Sequence, residues 1–265
     1  MSTAVSDPIL SFPGVGKTFI KPSGDLLRVI DDVNFSLHRN HFTALVGPSG
    51  CGKSTLLEMA VGLDSPTEGE IVYKGQPVRG LTKDIGYVTQ QANLLPWFTL
   101  RQNVEFPLVL RDTPKNERAD KVAHYLQLAG LTGFEDHYPY QLSGGMQKRA
   151  SIVRTLIYSP TVILMDEPFG SLDAQTKMLM QDDLLRLWQD QRQTILFITH
   201  DLTEAVVLAD DVVLLSNQPT RVKATIPIDL ARPRNVFEPY SMDGFVEIYE
   251  RIWKSFKSEV VSDAG

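Results

Sequence analysis

Phe42-Thr43-Ala44-Leu45-Val46-Gly47-Pro48-Ser49-Gly50-Cys51-Gly52-Lys53-Ser54-Thr55-Leu56-Leu57 is the stretch on which the fold turns. An apolar, strand-like run enters a glycine-rich bend ending in Gly-Lys-Ser, and Leu56, Leu57, Met59 and Ala60 continue at helical spacing. Glycines at Gly47, Gly50 and Gly52 let the backbone bend until successive N–H groups point inward. The following helix adds its unpaired N–H groups and the positive end of its dipole, so a polyphosphate is held largely by main chain. In such a cradle Lys53 reaches the β and γ phosphates and Ser54 ligates Mg²⁺. Pro48, Ser49, Cys51 and Thr55 complete the loop, with Cys51 as a small filler rather than a nucleophile. The motif implies a nucleoside triphosphate and does not say what its energy is used for.

The 265 residues allow one large domain or two small ones. A hydrophobic fraction of 43% and a charged fraction of 22% are ordinary for a globular protein. The formal net charge of -6 argues against nonspecific nucleic-acid binding, which needs a basic surface. One cysteine excludes an intrachain disulfide framework and fits a reducing compartment. No apolar run approaches the roughly 20 residues needed to cross a bilayer, so no membrane span is expected. The start, Met1 to Pro8, lacks the basic and apolar regions of a secretory signal, which makes the cytoplasm the default location.

From Ile9 to Leu37 apolar residues alternate, with turn signals at Pro22-Ser23-Gly24 and Asp31-Asp32, and this predicts antiparallel strands. Phe12 and Phe35 fall in strand-core patterns; Phe19 is either a stacking platform for a base or a further core residue. Short strands are expected at Glu70 to Tyr73 and Ile85 to Val88, the latter ending in Thr89-Gln90-Gln91. Leu94-Leu95-Pro96-Trp97-Phe98 is an apolar loop, either packed on its own domain or offered to a partner. Helical periodicity follows from Thr99 to Gly130, broken at Asp112-Thr113-Pro114.

Leu142-Ser143-Gly144-Gly145 puts a turn directly before a helix running to Tyr158, which makes Ser143, Gly144 and Gly145 a second candidate phosphate contact. Val162 to Met165 has the length and composition of a buried strand and ends in Asp166-Glu167. Two carboxylates there are costly unless compensated. Asp166 is assigned to Mg²⁺ through water and Glu167 to polarising the attacking water. Another apolar strand, Thr194 to Ile198, delivers His200 to the strand end where ligands bind in doubly wound folds. Strands at Asp211 to Leu215 and Arg221 to Ile228 precede a final amphipathic helix from about Ser241 to Phe256. His38, His41, His124 and His137 receive no role.

Taken together these residues resemble the ATP-binding cassette family, whose ATPase subunits drive membrane transporters. The resemblance covers nearly the whole chain, with every motif in the family's order. Walker A is Gly47 to Thr55, the glutamine loop is Gln90, the signature is Leu142 to Gly145, Walker B is Val162 to Asp166 with Glu167 following, the D-loop is Ser171-Leu172-Asp173 and the switch histidine is His200. The resemblance implies an α/β fold: a P-loop NTPase (RecA-like) core with a mixed sheet, an N-terminal antiparallel β subdomain and an inserted helical subdomain. The expected division is a core of about 9–90 and 154–235, a helical subdomain of about 91–153 and a helical tail of about 236–265. It also implies ATP and Mg²⁺ as ligands, with Phe19 on adenine, Gln90 sensing the γ phosphate and the metal, and Ser143, Gly144, Gly145 and Asp173 completing a nucleotide site across two copies. The implied partners are a second ATPase subunit, transmembrane permease subunits and, indirectly, a solute-binding protein, at the cytoplasmic face of the inner membrane.

The residues from Gln90 to Trp97 look like importer subunits of the nitrate, sulfonate and taurine group. Two departures stand out. Phe19 replaces the more common tyrosine, and Met146-Gln147-Lys148-Arg149 replaces a glutamine- and arginine-rich run, a change from which no consequence is expected. The competing readings are a non-transport ATPase of the same class, another phosphate-loop enzyme such as a small-molecule kinase, and a non-catalytic scaffold. DNA-repair relatives carry long insertions and translation-type relatives fuse two cassettes, neither of which fits this chain. The signature turn argues against a kinase, and an intact Lys53, Asp166, Glu167 and His200 against a scaffold.

Overall fold

The computed structural model describes residues 8–170, 172–191 and 193–261. The leader Met1 to Asp7 and Ser171 of the D-loop lie outside the described residues. In chain order the elements are β1 (Leu10–Ile20), β2 (Leu26–Leu37), β3 (Phe42–Val46), α1 (Lys53–Val61), β4 (Val72–Tyr73), β5 (Gln76–Pro77), β6 (Ile85–Val88), α2 (Leu100–Val109), α3 (Lys115–Leu128) and α4 (Gly144–Leu156). They continue with β7 (Val162–Asp166), α5 (Ala174–Gln191), β8 (Thr194–Ile198), α6 (Leu202–Leu208), β9 (Asp211–Leu215), β10 (Val222–Pro227) and α7 (Phe245–Val261). Among the described residues, those from 8 to 83 and from 193 to 261 form one compact unit, and those from 84 to 191 form another.

The first unit carries two sheets. β1 and β2 pair antiparallel from Leu10 opposite Leu37 to Ile20 opposite Leu26, around a turn at Lys21–Asp25, and β4 and β5 extend the sheet on the other side of β1. Asp31-Asp32 is no turn, contrary to expectation: β2 runs through it, Asp32 taking φ 54° beside a stretch of shifted register. Asp31 stays within the strand with its carboxylate on Arg28, at 2.7 Å, and on Arg221. The second sheet is mixed, with β3 parallel to both β8 and β9, and β10 antiparallel to β9. β3 and β8 are buried at every position, as parallel strands covered on both faces must be. α7 buries Phe245, Ile248, Ile252 and Phe256 along one face and packs on α6; it starts and ends a few residues later than its periodicity predicts.

The second unit pairs β6 with β7 in parallel and gathers α2 to α5. α2 starts at a capping box in which Thr99 Oγ1 accepts from Gln102 N and Gln102 Oε1 accepts from Thr99 N. α5 buries Met180, Leu184, Leu185 and Trp188, spaced so that they lie along one face. Trp188 is only 2% exposed. Replacing Trp188 by Ala is expected to destabilise the protein by about 3–5 kcal/mol, the cost of a large buried aromatic, read as a lowered melting temperature.

Candidate nucleotide site

In the first unit β3 ends at Val46 and the loop Gly47 to Gly52 bends back into α1. Gly50 at φ 75° and Gly52 at φ 99° occupy left-handed backbone that other residues enter only with strain. A Cβ on Gly47 would come within 2.9 Å of both Cys51 Sγ and Leu215 Cβ. Lys53 is buried, and its ammonium donates to the carbonyls of Gly47 at 2.8 Å and Pro48 at 2.7 Å. Cys51 is buried too, and burial pushes its thiol up despite the nearby Lys53 charge, so it stays protonated and inert. Pro48 is covered, while Ser49, Gly50 and Ser54 are exposed and Thr55 is half-buried. α1 has no side-chain cap and no acid in its first turn, which leaves its N–H groups and dipole uncompensated by its own sequence.

The loop is braced from a segment that no motif marks. Gln218 Nε2 donates to the Gly50 carbonyl at 2.6 Å, and Thr220 Oγ1 donates to the Cys51 carbonyl. Thr220 is itself fixed to β2 by its backbone, donating to Val29 O and accepting from Asp31 N, both at 2.9 Å. These partners lie nearly 170 residues from the loop, and nothing in the local sequence announces them.

The parallel register places His200 on the same sheet edge as the phosphate loop. Leu45 stands opposite Ile198, and Gly47 and His200 each follow two residues later. His200 is exposed. Its neighbours hold the backbone there: Thr199 Oγ1 donates to the buried carboxylate of Glu204, Asp201 N donates to Thr199 Oγ1 at 3.0 Å, and Asp201 Oδ1 caps α6. Phe19, on β1, is 38% exposed, with Lys17 Nζ 5.1 Å from its ring centroid. Phe12 is buried and stacks on Phe35, centroids 4.2 Å apart. Of these aromatics Phe19 is the most exposed.

The second unit repeats the edge rule. Val88 stands opposite Met165, so Gln90 and Glu167 emerge side by side, and Gln90 Nε2 donates to Glu167 Oε2 at 3.4 Å. Glu167 has φ 41°, a left-handed backbone that costs a non-glycine residue about 1–3 kcal/mol. Asp166 is buried at the end of β7. Ser143 Oγ caps α4, accepting from Met146 N at 3.3 Å, with Gly144 and Gly145 in the helix's first turn. Neither glycine has positive φ; a Cβ on Gly144 would meet nothing within 4 Å and one on Gly145 only ordinary contacts. Asp173 accepts from Thr176 N at 3.0 Å, and that bond holds its carboxyl below the usual range. Lys148, from which no consequence was expected, is 2% exposed and donates to the carbonyls of Thr89 at 2.7 Å and Gln90 at 2.8 Å. Burial pulls its pKa down to about 8 against the opposing pull of Asp166.

In the first unit a buried cation inside a bent glycine loop and an uncapped helix start fit a polyphosphate; in the second, a buried carboxylate at a strand end suits a hard divalent cation. Among the described residues no cluster of three His, Cys, Asp or Glu side chains is arranged to hold a metal. Fold and site together define a phosphate-loop ATPase.

Comparison with known proteins narrows the class. The sequence model of the ABC transporter family matches residues 30–170. An uncharacterized ABC transporter ATP-binding protein of Methanocaldococcus jannaschii is 46% identical over 90% of this chain and 88% of its own. The aliphatic sulfonates import ATP-binding protein SsuB of Bacillus cereus is 38% identical over 94% of this chain and 96% of its own. The dimeric post-hydrolysis structure of the ATP-binding cassette MJ0796, bound to ADP and Pi, superposes with a TM-score of 0.74 at 32% identity, covering 83% of this chain and 98% of that one. The chain belongs to the ABC transporter family, as an ATP-binding subunit with ATPase activity.

Lys53 supplies the buried positive charge of the loop. Lys53→Ala is expected to abolish hydrolysis and most ATP binding, measured by phosphate release and by titration with a fluorescent ATP analogue; wild-type turnover would contradict the phosphate-loop assignment.

Proposed function

We propose that this subunit powers an importer of a small anionic solute of the nitrate, sulfonate or taurine kind, by ATP-dependent closure of a homodimer at the cytoplasmic face of the inner membrane. The likeness to a sulfonate importer subunit over 94% of the chain carries the substrate class. In this reading Phe19 stacks on adenine, and the main chain from Gly47 to Thr55 with Lys53 cradles the phosphates. Ser54, Gln90 and Asp166 hold Mg²⁺, and Ser143, Gly144, Gly145 and Asp173 of the second copy complete the nucleotide's surroundings. When bound, Mg²⁺ would neutralise negative charge on the phosphates.

Glu167 accepts a hydrogen bond from the attacking water and takes up its proton as the new O–P bond forms and the bond to ADP breaks. The Gln90 amide at 3.4 Å steadies that carboxylate, and His200 holds the γ phosphate. The helical subdomain of about 91–153 moves with nucleotide state against the core of about 9–90 and 154–235, and carries the permease subunits with it. The tail of about 236–265 stays with the core, as the packing of α7 on α6 suggests.

The contact with the permease is assigned to the loop Leu94 to Phe98. Trp97 is 67% exposed, its ring edge-on to that of half-buried Phe98 with centroids 6.4 Å apart. The loop's backbone is satisfied from beneath by Asn103, fully buried, which donates to Leu95 O, Phe98 O and Thr99 O and accepts from Leu95 N. With its polar groups met from inside, the loop is free to hold an indole outward at little cost in unpaired backbone. An exposed Trp beside other apolar side chains is the composition of an interface anchor. No described helix is long and apolar enough to cross a membrane.

Glu167→Gln keeps shape and removes charge, so the variant should bind ATP, hydrolyse it at least about a hundredfold more slowly and accumulate as a dimer by light scattering. A variant that stays monomeric at saturating ATP and Mg²⁺ would count against the closure model. Trp97→Ala should melt close to wild type, in contrast to Trp188→Ala, and keep its basal ATPase while losing co-purification with the permease. A large drop in melting temperature, or normal assembly and transport, would remove the docking role.

A further inference from the structure

The segment that carries Gln90 has no regular structure of its own between Thr89 and Leu95. Its internal bonds are local: Thr89 Oγ1 donates to Gln91 O at 2.7 Å and Asn93 Nδ2 donates to Thr89 Oγ1 at 3.0 Å. Asn103 of α2 holds its far end at Leu95, and α4 holds it from Thr89 to Asn93. Lys148 Nζ takes the carbonyls of Thr89 and Gln90 at 2.7 and 2.8 Å, and Arg154 takes those of Asn93 and Ala92 at 2.9 and 3.1 Å. Both cations project from α4, whose first turn is Gly144-Gly145 behind the Ser143 cap. At that same end Gln147 Nε2 donates to Pro139 O at 2.9 Å and Leu142 O at 3.2 Å. The helix thus grips the signature turn at one end and the glutamine segment along its length.

A lysine that is 2% exposed is costly to bury unless its charge and donors are used, and both acceptors it finds are carbonyls of this one segment. We propose that Lys148 and Arg154 are positioning residues that make the Thr89–Asn93 segment travel with α4 as one body, so that engagement of the signature turn by a nucleotide on a second copy sets the placement of Gln90 against Glu167. This rests on the roles given above to Gln90 and the signature turn. The segment is then a follower of α4 rather than an independent flexible joint, and the coupling runs through four main-chain carbonyls.

The test is a double-mutant cycle on the purified full chain, with ATPase kcat, KM and melting temperature as readouts. Lys148→Met should lower kcat about tenfold while KM for ATP changes less than about twofold, because the defect lies in Gln90 placement and not in phosphate binding. In a Gln90→Ala background the same substitution should cause no further loss. Lys148→Arg, which restores charge and donors, should recover at least about half of the turnover. A merely structural lysine would lower the melting temperature and leave kcat of the folded protein unchanged, and one acting independently of Gln90 would lower kcat by the same factor in the Gln90→Ala background; either result would overturn the proposal. If Gln90→Ala itself turns over like wild type, the catalytic reading of Gln90 fails and takes the positioning role with it. If Gln90→Ala is slow and Lys148→Met is not, the positioning role alone fails. Should Lys148→Met not fold, Arg154→Lys carries the same cycle at the other grip, with a severalfold fall in kcat that vanishes in the Gln90→Ala background as support and additive losses as refutation.

Discussion

The ammonium of Lys53, buried and bonded to two main-chain carbonyls of its own loop, is the constraint on which the nucleotide-binding half of the molecule depends. A cation held by carbonyls rather than by a carboxylate keeps its charge available to an incoming anion. Several other features of the first unit serve to keep that arrangement in place. The glycines permit the bend, β2 covers Gly52 through Val29 and Ile30, and the loop between β9 and β10 takes the carbonyls of Gly50 and Cys51 so that they do not compete for the lysine. A first turn of α1 free of acids avoids neutralising the same field.

Parallel pairing explains why residues far apart in sequence emerge together. Successive parallel strands end on one edge, so a fixed offset past the last paired residue delivers side chains to one place. In the first unit that rule brings Gly47 and His200 to the edge of β3 and β8; in the second it brings Gln90 and Glu167 to the edge of β6 and β7. Each pair needs only that its two strands stay in register. β3, β7 and β8 are buried at every position, which keeps these strands covered on both faces up to the edge where the site residues emerge.

These features differ in how far the sequence betrays them. The phosphate loop, the apolar strands and the break between α2 and α3 are written in local residues: glycine at a bend, β-branched runs in strands, and Pro114 at the N-cap of α3. The strand pairing that unites Gln90 with Glu167 follows once the parallel order is known. Asp31-Asp32 misleads because two acids usually signal a turn, whereas here Arg28 and Arg221 hold the first of them in the strand. Asn103, Gln218, Thr220 and Lys148 escape notice for a common reason. Each acts by donating to a main-chain carbonyl, of the loop just before its helix for Asn103 and of a distant segment for the others, and every residue has a carbonyl, so no residue type marks the recipient. Trp97 is the converse case: its apolar character is plain in the sequence, but the side chain's outward placement depends on Asn103 beneath it.

Glycines separate what the fold requires from what it leaves open. Gly62 ends α1 at φ 85°, where a Cβ would stand 2.0 Å from Gly80 O, and Gly69 at φ 68° would press 2.2 Å from Gly14 O. No other residue fits either place, and their purpose is satisfied inside the chain. Gly144 is different. It lies in the first turn of α4 with no positive φ, and a Cβ there would meet nothing among the described residues. Glycine in a helix costs about 1 kcal/mol relative to alanine, and no contact within the described chain offsets that cost. A bare backbone at an exposed helix start, beside a hydroxyl already turned to cap it, is suited to close approach by a body from outside. That open space lies on the same helix whose lysine and arginine hold the glutamine segment.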